Sequence, residues 1–176
     1  MGQYQRQDAW RYAMRYGINP NPNYIYFEDD DCTNFVSQCL RAGGAQNHYH
    51  PTHPWWYLDG KMSLSWSVAS SLYWYIRVST EEDESGIRAQ TFFQSTSRPL
   101  KQDILDAIQP ADLIQYRDAG GVVRHSSIIT GFGYDDNGEF GPLVTQHTSN
   151  AVNISWRKGH FTTAIFHHII GINSAE

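Results

Sequence analysis

The chain changes character near residue 110. Before that point, apolar residues recur at helical spacing and predict helices at about 4–16, 31–42, 66–78 and 100–108. After it, β-branched and aromatic residues predict five strands separated by turn-forming stretches, at 112–117, 122–130, 143–148, 152–156 and 165–172. Consecutive strands with short connections favour an antiparallel sheet. Helices followed by strands, in 176 residues without a repeat or a linker, predict one α+β domain spanning 1–176.

Composition excludes several classes of protein. Hydrophobic residues make up 40% and charged residues 18%, which is typical of a globular chain. A net charge of -5 argues against a nucleic-acid partner, because neutralising phosphates requires a basic surface. No apolar stretch approaches the roughly 20 residues of a membrane span, and MGQYQRQDAW lacks the apolar core of a signal peptide. We therefore expect no nucleic acid, no membrane span and no signal peptide; the pattern does not indicate an oligomeric state.

The two cysteines, Cys32 and Cys39, fall on the same predicted helix. Their seven-residue separation corresponds to roughly 10 Å along the axis, whereas a disulfide needs α-carbons within about 7 Å. Both are expected to be free thiols. Cys39 lies in the apolar stripe and is expected in the core.

Cys32 follows the acidic run DDD, in which Asp31 or Asp30 is a good N-cap residue, so Cys32 is expected in the first turn of the helix. Free backbone N–H groups and the helix dipole would stabilise a thiolate there, although the neighbouring carboxylates oppose it. Cys32 is therefore a candidate nucleophile, with a small buried residue as the alternative.

A nucleophilic thiol needs a base, and His125 in the strand VVRHSSIIT is the candidate, with a satisfied core histidine as the alternative. His147, in TQHTSN on the next strand, is the candidate to hold the His125 imidazole through a hydrogen bond. Alternation is expected to turn Gln146 to the opposite face, and Asn150 is the alternative if the register slips.

The motifs DCTNFVSQCL, IQPADLIQYR, RHSSIIT and TQHT occur in this order. Together with the first helix they resemble the family called "Putative amidase domain", related to the NlpC/P60 and CHAP cysteine peptidases, over nearly the whole chain. Compared with the NlpC/P60 pattern, Thr33 stands in the place of Ser, and Ala111 and Ser127 in the place of Gly. The resemblance implies a papain-like, NlpC/P60-type fold, with N-terminal helices packed on a C-terminal antiparallel sheet.

The resemblance also implies a function. Cys32 becomes the nucleophile, His125 the base and His147 the orienting residue of an enzyme that cleaves an amide bond in bacterial peptidoglycan. The enzyme would be an N-acetylmuramoyl-L-alanine amidase or an endopeptidase, released by a phage as the catalytic domain of an endolysin, or secreted. The sequence does not separate hydrolase from acyltransferase.

Further residues are candidates for substrate contact. The backbone N–H of Cys32 would form an oxyanion hole with a side-chain donor, Tyr24 or Tyr26, and Asp31 is expected beside it. Three tryptophans could stack on sugar rings, with core packing as the alternative for each: Trp55, Trp56 and Trp66.

A histidine-rich stretch, HYHPTHPWW, invites comparison with a zinc site formed by His48, His50 and His53. Neither cysteine is near, and Asp59 is the only carboxylate at ligand spacing, so we expect no metal and no cofactor. Two other functions stay open: a non-catalytic cell-wall or carbohydrate-binding module, and a zinc-dependent amidase.

Overall fold

The computed structural model describes residues 2–82 and 85–173. The helices within these ranges are α1 (Arg6–Tyr16), α2 (Cys32–Ala42), α3 (Leu64–Ser67), α4 (Ala69–Glu81) and α5 (Gln102–Ala107). The strands within them are β1 (Tyr57–Leu58), β2 (Lys61–Met62), β3 (Arg88–Ser95), β4 (Leu113–Arg117), β5 (Val123–Tyr134), β6 (Phe140–Gln146), β7 (Ala151–Ser155) and β8 (Thr163–Gly171). No helix in the described part of the chain is long and apolar enough to cross a membrane.

Six strands form one antiparallel sheet in the order β3-β8-β4-β5-β6-β7, and β1 and β2 form a separate hairpin. The predicted α+β class, with helices and an antiparallel sheet, is confirmed. The strand β3 was not predicted, because it forms by pairing with β8, a distant segment of the chain that begins at Thr163. The third predicted helix begins later than expected, at Ala69, after the short helix α3.

The sheet separates two hydrophobic cores. On one face, α1, α2 and α4 pack on the sheet through residues such as Phe35, Leu72 and Ile128. On the other face, Ile104 of α5 packs with Tyr116 and other sheet residues. Helix α2 is buried along most of its length because its partners surround it on several sides.

A polar cluster around Asp112 fixes the N-terminal helix to this sheet. The Asp112 carboxylate accepts from Arg6 at 2.6 Å and pairs with His168 Nδ1 at 2.8 Å. It also accepts from the backbone N–H groups of Gln109 and Ile169. The aspartate of the PADL motif is thus a buried structural anchor that joins α1, β4 and β8.

The pairing of β5 with β6 positions the candidate site. Its ladder begins at the pair Ile128–Thr145, so residues 123–127 of β5 extend beyond the part that pairs with β6. Helix α2 starts against the turn that follows β6, where the backbone N–H of Asp31 donates to Thr148 Oγ1 at 3.0 Å. The first turn of α2 and the first half of β5 therefore lie together.

Candidate active site

Cys32 is the first residue of α2 and Asp31 its N-cap, as predicted. The Cys32 side chain is 2% exposed. Its Sγ lies 3.7 Å from Asp30 Oδ1 and 3.7 Å from Thr33 Oγ1, and the backbone N–H of Ser126 points to it. The first turn of the helix thus delivers the thiol to the residue that follows His125 on β5.

Of the opposing influences expected at this thiol, those that disfavour the thiolate are the larger. Burial is the largest influence and raises the pKa of Cys32, and the Asp30 carboxylate raises it further. The backbone N–H of Ser126 and the Thr33 hydroxyl lower the pKa but do not outweigh burial. The resting group near neutral pH is therefore a thiol and not a thiolate. Cys39 is a buried free thiol, as expected, and so is Cys32.

His125 lies on β5 and is 7% exposed. Its ring lies 5.6 Å from the Tyr116 ring and 6.1 Å from the Phe161 ring. Burial lowers the pKa of His125 to about 4, aided by the positive charge of Lys158. The imidazole is consequently neutral near neutral pH, which is the form that can accept a proton.

Gln146 decides which nitrogen of His125 carries the proton. The Gln146 amide nitrogen donates to the carbonyl oxygens of Thr148 and Ser149, both at 3.3 Å. Because carbonyls only accept, this arrangement turns Gln146 Oε1 to His125 Nε2, 2.9 Å away. Nε2 of His125 is therefore the protonated nitrogen, and Nδ1 keeps its lone pair.

The predicted hydrogen bond between His147 and His125 is wrong. His147 Nδ1 instead lies 2.5 Å from Asp31 Oδ2, and Nε2 lies 2.7 Å from the carbonyl oxygen of Tyr16. The His147 ring stacks on Phe35 of α2 at 4.0 Å. The alternative, Asn150, donates to the carbonyl of Ile18 and does not orient His125 either.

The register explains this exchange of roles. Since Ile128 pairs with Thr145, Gln146 shares the face of His125, and His147 faces the helix α2. The sequence shows where the strands are but not how they are paired, and a shift of one residue reverses the face of every side chain.

The two candidate tyrosines lie in different surroundings. The Tyr24 ring packs on Tyr57 at 4.9 Å and on Trp66 at 6.1 Å. The exposed Tyr26 ring lies edge-on to His147 at 5.9 Å, close to the start of α2. Tyr26 thus contacts the histidine that bonds to Asp31 at the helix start, whereas Tyr24 packs in an aromatic cluster.

The expected wall of tryptophans is wrong for two of its three members. Trp55 and Trp66 are fully buried, and their Nε1–H groups donate to Ser37 Oγ and Asn34 Oδ1 respectively. Trp56 is half-buried and can still meet a ligand. Asp31 is 1% exposed, so it supports the helix start and does not face substrate.

The histidine-rich stretch forms a cluster of rings. His50 and His53 lie 3.7 Å apart, and His48 lies 5.6 Å from His50. His48 is held by Tyr75 at Nδ1 and by Ser85 at Nε2. In residues 2–82 and 85–173, no group of three His, Cys, Asp or Glu side chains is arranged to hold a metal ion.

Two site residues were missed by the sequence analysis. Gln146 was assigned to the wrong face, and Ser126 was given no contact with the thiol, whereas the opposing effect of the acidic run was expected. The signal for both was their position next to a candidate: Gln146 precedes His147 within TQHT, and Ser126 follows His125.

Comparisons with known proteins match most of the chain. A family described as "Putative amidase domain" matches residues 3–170. YhbB of Bacillus subtilis (strain 168), described as an uncharacterized protein, is 34% identical over 157 residues, covering 88% of this chain and 44% of that protein. YjcM of the same organism, described likewise, is 30% identical over 151 residues, covering 86% of this chain and 32% of that protein. The chain thus spans less than half the length of these curated relatives. No solved structure matches it at a significant level.

Proposed function

The chain belongs to the "Putative amidase domain" family, and on this premise we propose that it is a cysteine-dependent hydrolase that cleaves an amide bond in bacterial peptidoglycan. The observation that carries the proposal is the state of His125. His125 is a neutral base, and its Nδ1 keeps a lone pair that can accept a proton. The next residue in the chain, Ser126, contacts the Cys32 thiol through its backbone N–H.

The thiol and the imidazole are held at consecutive residues of β5, because Sγ of Cys32 meets the Ser126 backbone and His125 is the residue before it. The Thr33 hydroxyl bonds to Ser126 Oγ at 2.8 Å, which fixes the start of α2 against this strand. Cys32 reaches the Ser126 backbone from the helix side, and Gln146 draws the His125 ring toward the end of β6. In the proposed mechanism the His125 ring must turn around the edge of β5 that extends beyond β6, so that Nδ1 reaches Sγ of Cys32 when substrate is bound.

Chemistry then follows from the resting protonation states. His125 Nδ1 accepts the thiol proton as Sγ of Cys32 bonds to the substrate carbonyl carbon. The imidazolium returns this proton to the leaving nitrogen, the C–N bond breaks, and a thioester remains. Water, deprotonated by Nδ1, attacks the thioester; the C–S bond breaks and the thiol is restored. Because the Cys32 thiol and the His125 imidazole are both neutral at rest, the site does not have to hold a buried ion pair before the substrate binds.

The oxyanion of the tetrahedral intermediate needs donors. The backbone N–H of Cys32 stands in the first turn of α2, where helix N–H groups have no intrahelical acceptor. In the proposed site this N–H is one donor, and the Tyr26 hydroxyl is the candidate for the second because its ring lies at the helix start. A papain-like fold, with the nucleophile at a helix start and the base on the sheet, is part of the same proposal.

The test is hydrolysis of purified peptidoglycan by the wild-type chain, Cys32→Ala and His125→Ala. Each substitution should abolish release of fragments while circular dichroism stays unchanged, and the double variant should be no worse than either. Mass spectrometry of the fragments separates an N-acetylmuramoyl-L-alanine amidase, which frees whole stem peptides, from an endopeptidase, which cuts the stems. A phage endolysin or a secreted enzyme would both pass this test.

The rival functions give different results. A non-catalytic wall-binding module would bind cell walls equally before and after Cys32→Ala and would release nothing. A zinc-dependent amidase would lose activity to a chelator and keep it in Cys32→Ala. Either outcome would reject the proposed function.

Alkylation gives a check that needs no substrate. Cys32 should react with iodoacetamide faster than Cys39 in the folded chain, because Cys39 is fully buried in α2 and its pKa is raised well above the ordinary range. Equal rates would remove the assignment of Cys32 as nucleophile.

A further inference from the structure

We propose that His147 is a positioning residue, held as an imidazolium that fixes the start of α2 through Asp31. The inference about its charge stands on hydrogen bonding alone, and its consequence for catalysis rests on the proposed function. Both side chains are almost fully buried, with 1% exposure each.

The acceptors around His147 require two protons on its ring. Nε2 faces the carbonyl oxygen of Tyr16 at 2.7 Å, and a carbonyl only accepts. Nδ1 faces Asp31 Oδ2 at 2.5 Å. A neutral imidazole has a single N–H and would leave one of these contacts as a lone pair facing an oxygen.

The remaining question is whether the second proton sits on Asp31. Asp31 Oδ1 already accepts from the Phe27 backbone N–H at 3.0 Å and from Asn34 Nδ2 at 2.8 Å. Hydrogen bonds of this kind stabilise a carboxylate, and so does the positive end of α2, directly after Asp31. The proton therefore belongs to His147, and the pair is imidazolium and carboxylate.

The groups facing His147 come from every element packed around it. Tyr16 ends α1, Phe35 of α2 stacks on the ring, and Asp31 precedes Cys32. Of the titratable side chains among its described contacts, Asp31 bonds to the ring, and Tyr26 lies edge-on at 5.9 Å with its exposed ring. The single ring thereby joins α1, α2 and the turn after β6.

The pair acts on the nucleophile through the backbone. Asp31 and Cys32 share a peptide unit, so any shift of Asp31 moves the Cys32 thiol and N–H relative to His125. A small misplacement of reacting groups lowers the rate of the chemical step much more than it lowers substrate binding. His147 is therefore expected to affect kcat and to leave KM nearly unchanged.

NMR of the histidine rings tests the charge, with His167 as a control in the same spectrum. His167 is also fully buried, but its Nε2 faces Gln115 Oε1 while its Nδ1 faces the Thr91 hydroxyl, which can donate. One proton suffices there, and burial lowers the pKa of His167 to about 3. At about pH 7.5, above the ordinary imidazole pKa of about 6.5, nitrogen-15 shifts should show two protonated nitrogens in His147 and one in His167. A singly protonated His147 overturns the proposal, whatever the enzyme does.

A pair of variants tests the positioning role. In His147→Gln, the new NH₂ group donates to the Tyr16 carbonyl in place of Nε2. The amide oxygen then faces the Asp31 carboxylate, so two acceptors oppose each other. Adding Asp31→Asn places an NH₂ donor opposite the amide oxygen of the new glutamine, which restores a hydrogen bond between positions 31 and 147 without any charge. We expect His147→Gln to lower kcat by roughly tenfold or more, with little change in KM, and the double variant to recover most of the loss.

Iodoacetamide trapping of Cys32 in the same variants gives a readout independent of turnover. Altered trapping in His147→Gln, restored in the double variant, would support the positioning role even if the substrate proposal failed. Unchanged trapping and unchanged kcat in a folded His147→Gln would overturn it. If His147→Gln does not fold, the double variant and the NMR experiment still decide.

Discussion

His125 Nε2 and Gln146 Oε1 are joined by a hydrogen bond of 2.9 Å, which leaves His125 Nδ1 as the unprotonated nitrogen of the ring. The direction of this bond is set by two backbone carbonyls that take up the amide protons of Gln146. The side chain that orients the candidate base is thus itself oriented by the turn after β6.

Gln146→Ala should therefore be a catalytic defect with an intact fold. Without the acceptor, either ring nitrogen of His125 can carry the proton, and we expect kcat to fall by roughly 10²-fold. Gln146→Glu keeps an acceptor for Nε2–H but loses both donors to the turn, so its rate should lie between those of wild type and Gln146→Ala. Steady-state kinetics on peptidoglycan fragments measure this order, and a near-normal Gln146→Ala would contradict it.

The pH below which activity falls on the acid side of the profile should be unusually low. His125 acts as a base only when neutral, which is the state above its folded-state pKa, and burial lowers that pKa to about 4. The raised pKa of Cys32 keeps the thiol protonated into the alkaline range. We expect kcat/KM to be nearly constant from roughly pH 5 to 8.

The same pH profile in Gln146→Glu provides the control. A carboxylate beside the ring favours the imidazolium, so the acid limb should move to higher pH. If wild-type activity falls near the ordinary imidazole pKa of about 6.5, the pKa of His125 is not lowered and the proposed neutral pair of Cys32 thiol and His125 imidazole is wrong.

Asp30→Asn should make the thiol more reactive. The Asp30 carboxylate lies 3.7 Å from Sγ and raises the pKa of Cys32, so its removal increases the thiolate fraction at a given pH. Alkylation of Cys32 near neutral pH should accelerate roughly two- to fivefold. The exposed neighbour Asp29 supplies the matched variant, Asp29→Asn, for which no acceleration is expected. Equal rates in both variants would remove Asp30 from the environment of the thiol.

Asp112→Ala should destabilise the fold without touching the candidate site. It removes a buried carboxylate from Arg6, His168 and two backbone N–H groups, and we expect a loss of about 3 kcal/mol in the free energy of unfolding. Glu81→Ala, which breaks the exposed pair with Arg77, should cost less than about 0.5 kcal/mol. Urea unfolding of both variants measures the difference, and similar values would contradict the anchoring role of Asp112.

Local patterns were sufficient for much of this protein. The helix start at Cys32, the buried stripe that contains Cys39 and the five predicted strands depend on residues near one another in the chain, so periodicity and capping predicted them. The order of the motifs was likewise sufficient for the family.

Contacts between distant segments decided the rest. Strand β3 exists through its pairing with β8, and the single pair Ile128–Thr145 placed Gln146, and not His147, beside His125. Because side chains alternate along a strand, such a choice follows from register, which is set by packing across the whole sheet. The direction of the Cys32 pKa has the same origin: the helix start is visible in the sequence, but burial is a sum over every neighbour that the fold brings to the thiol.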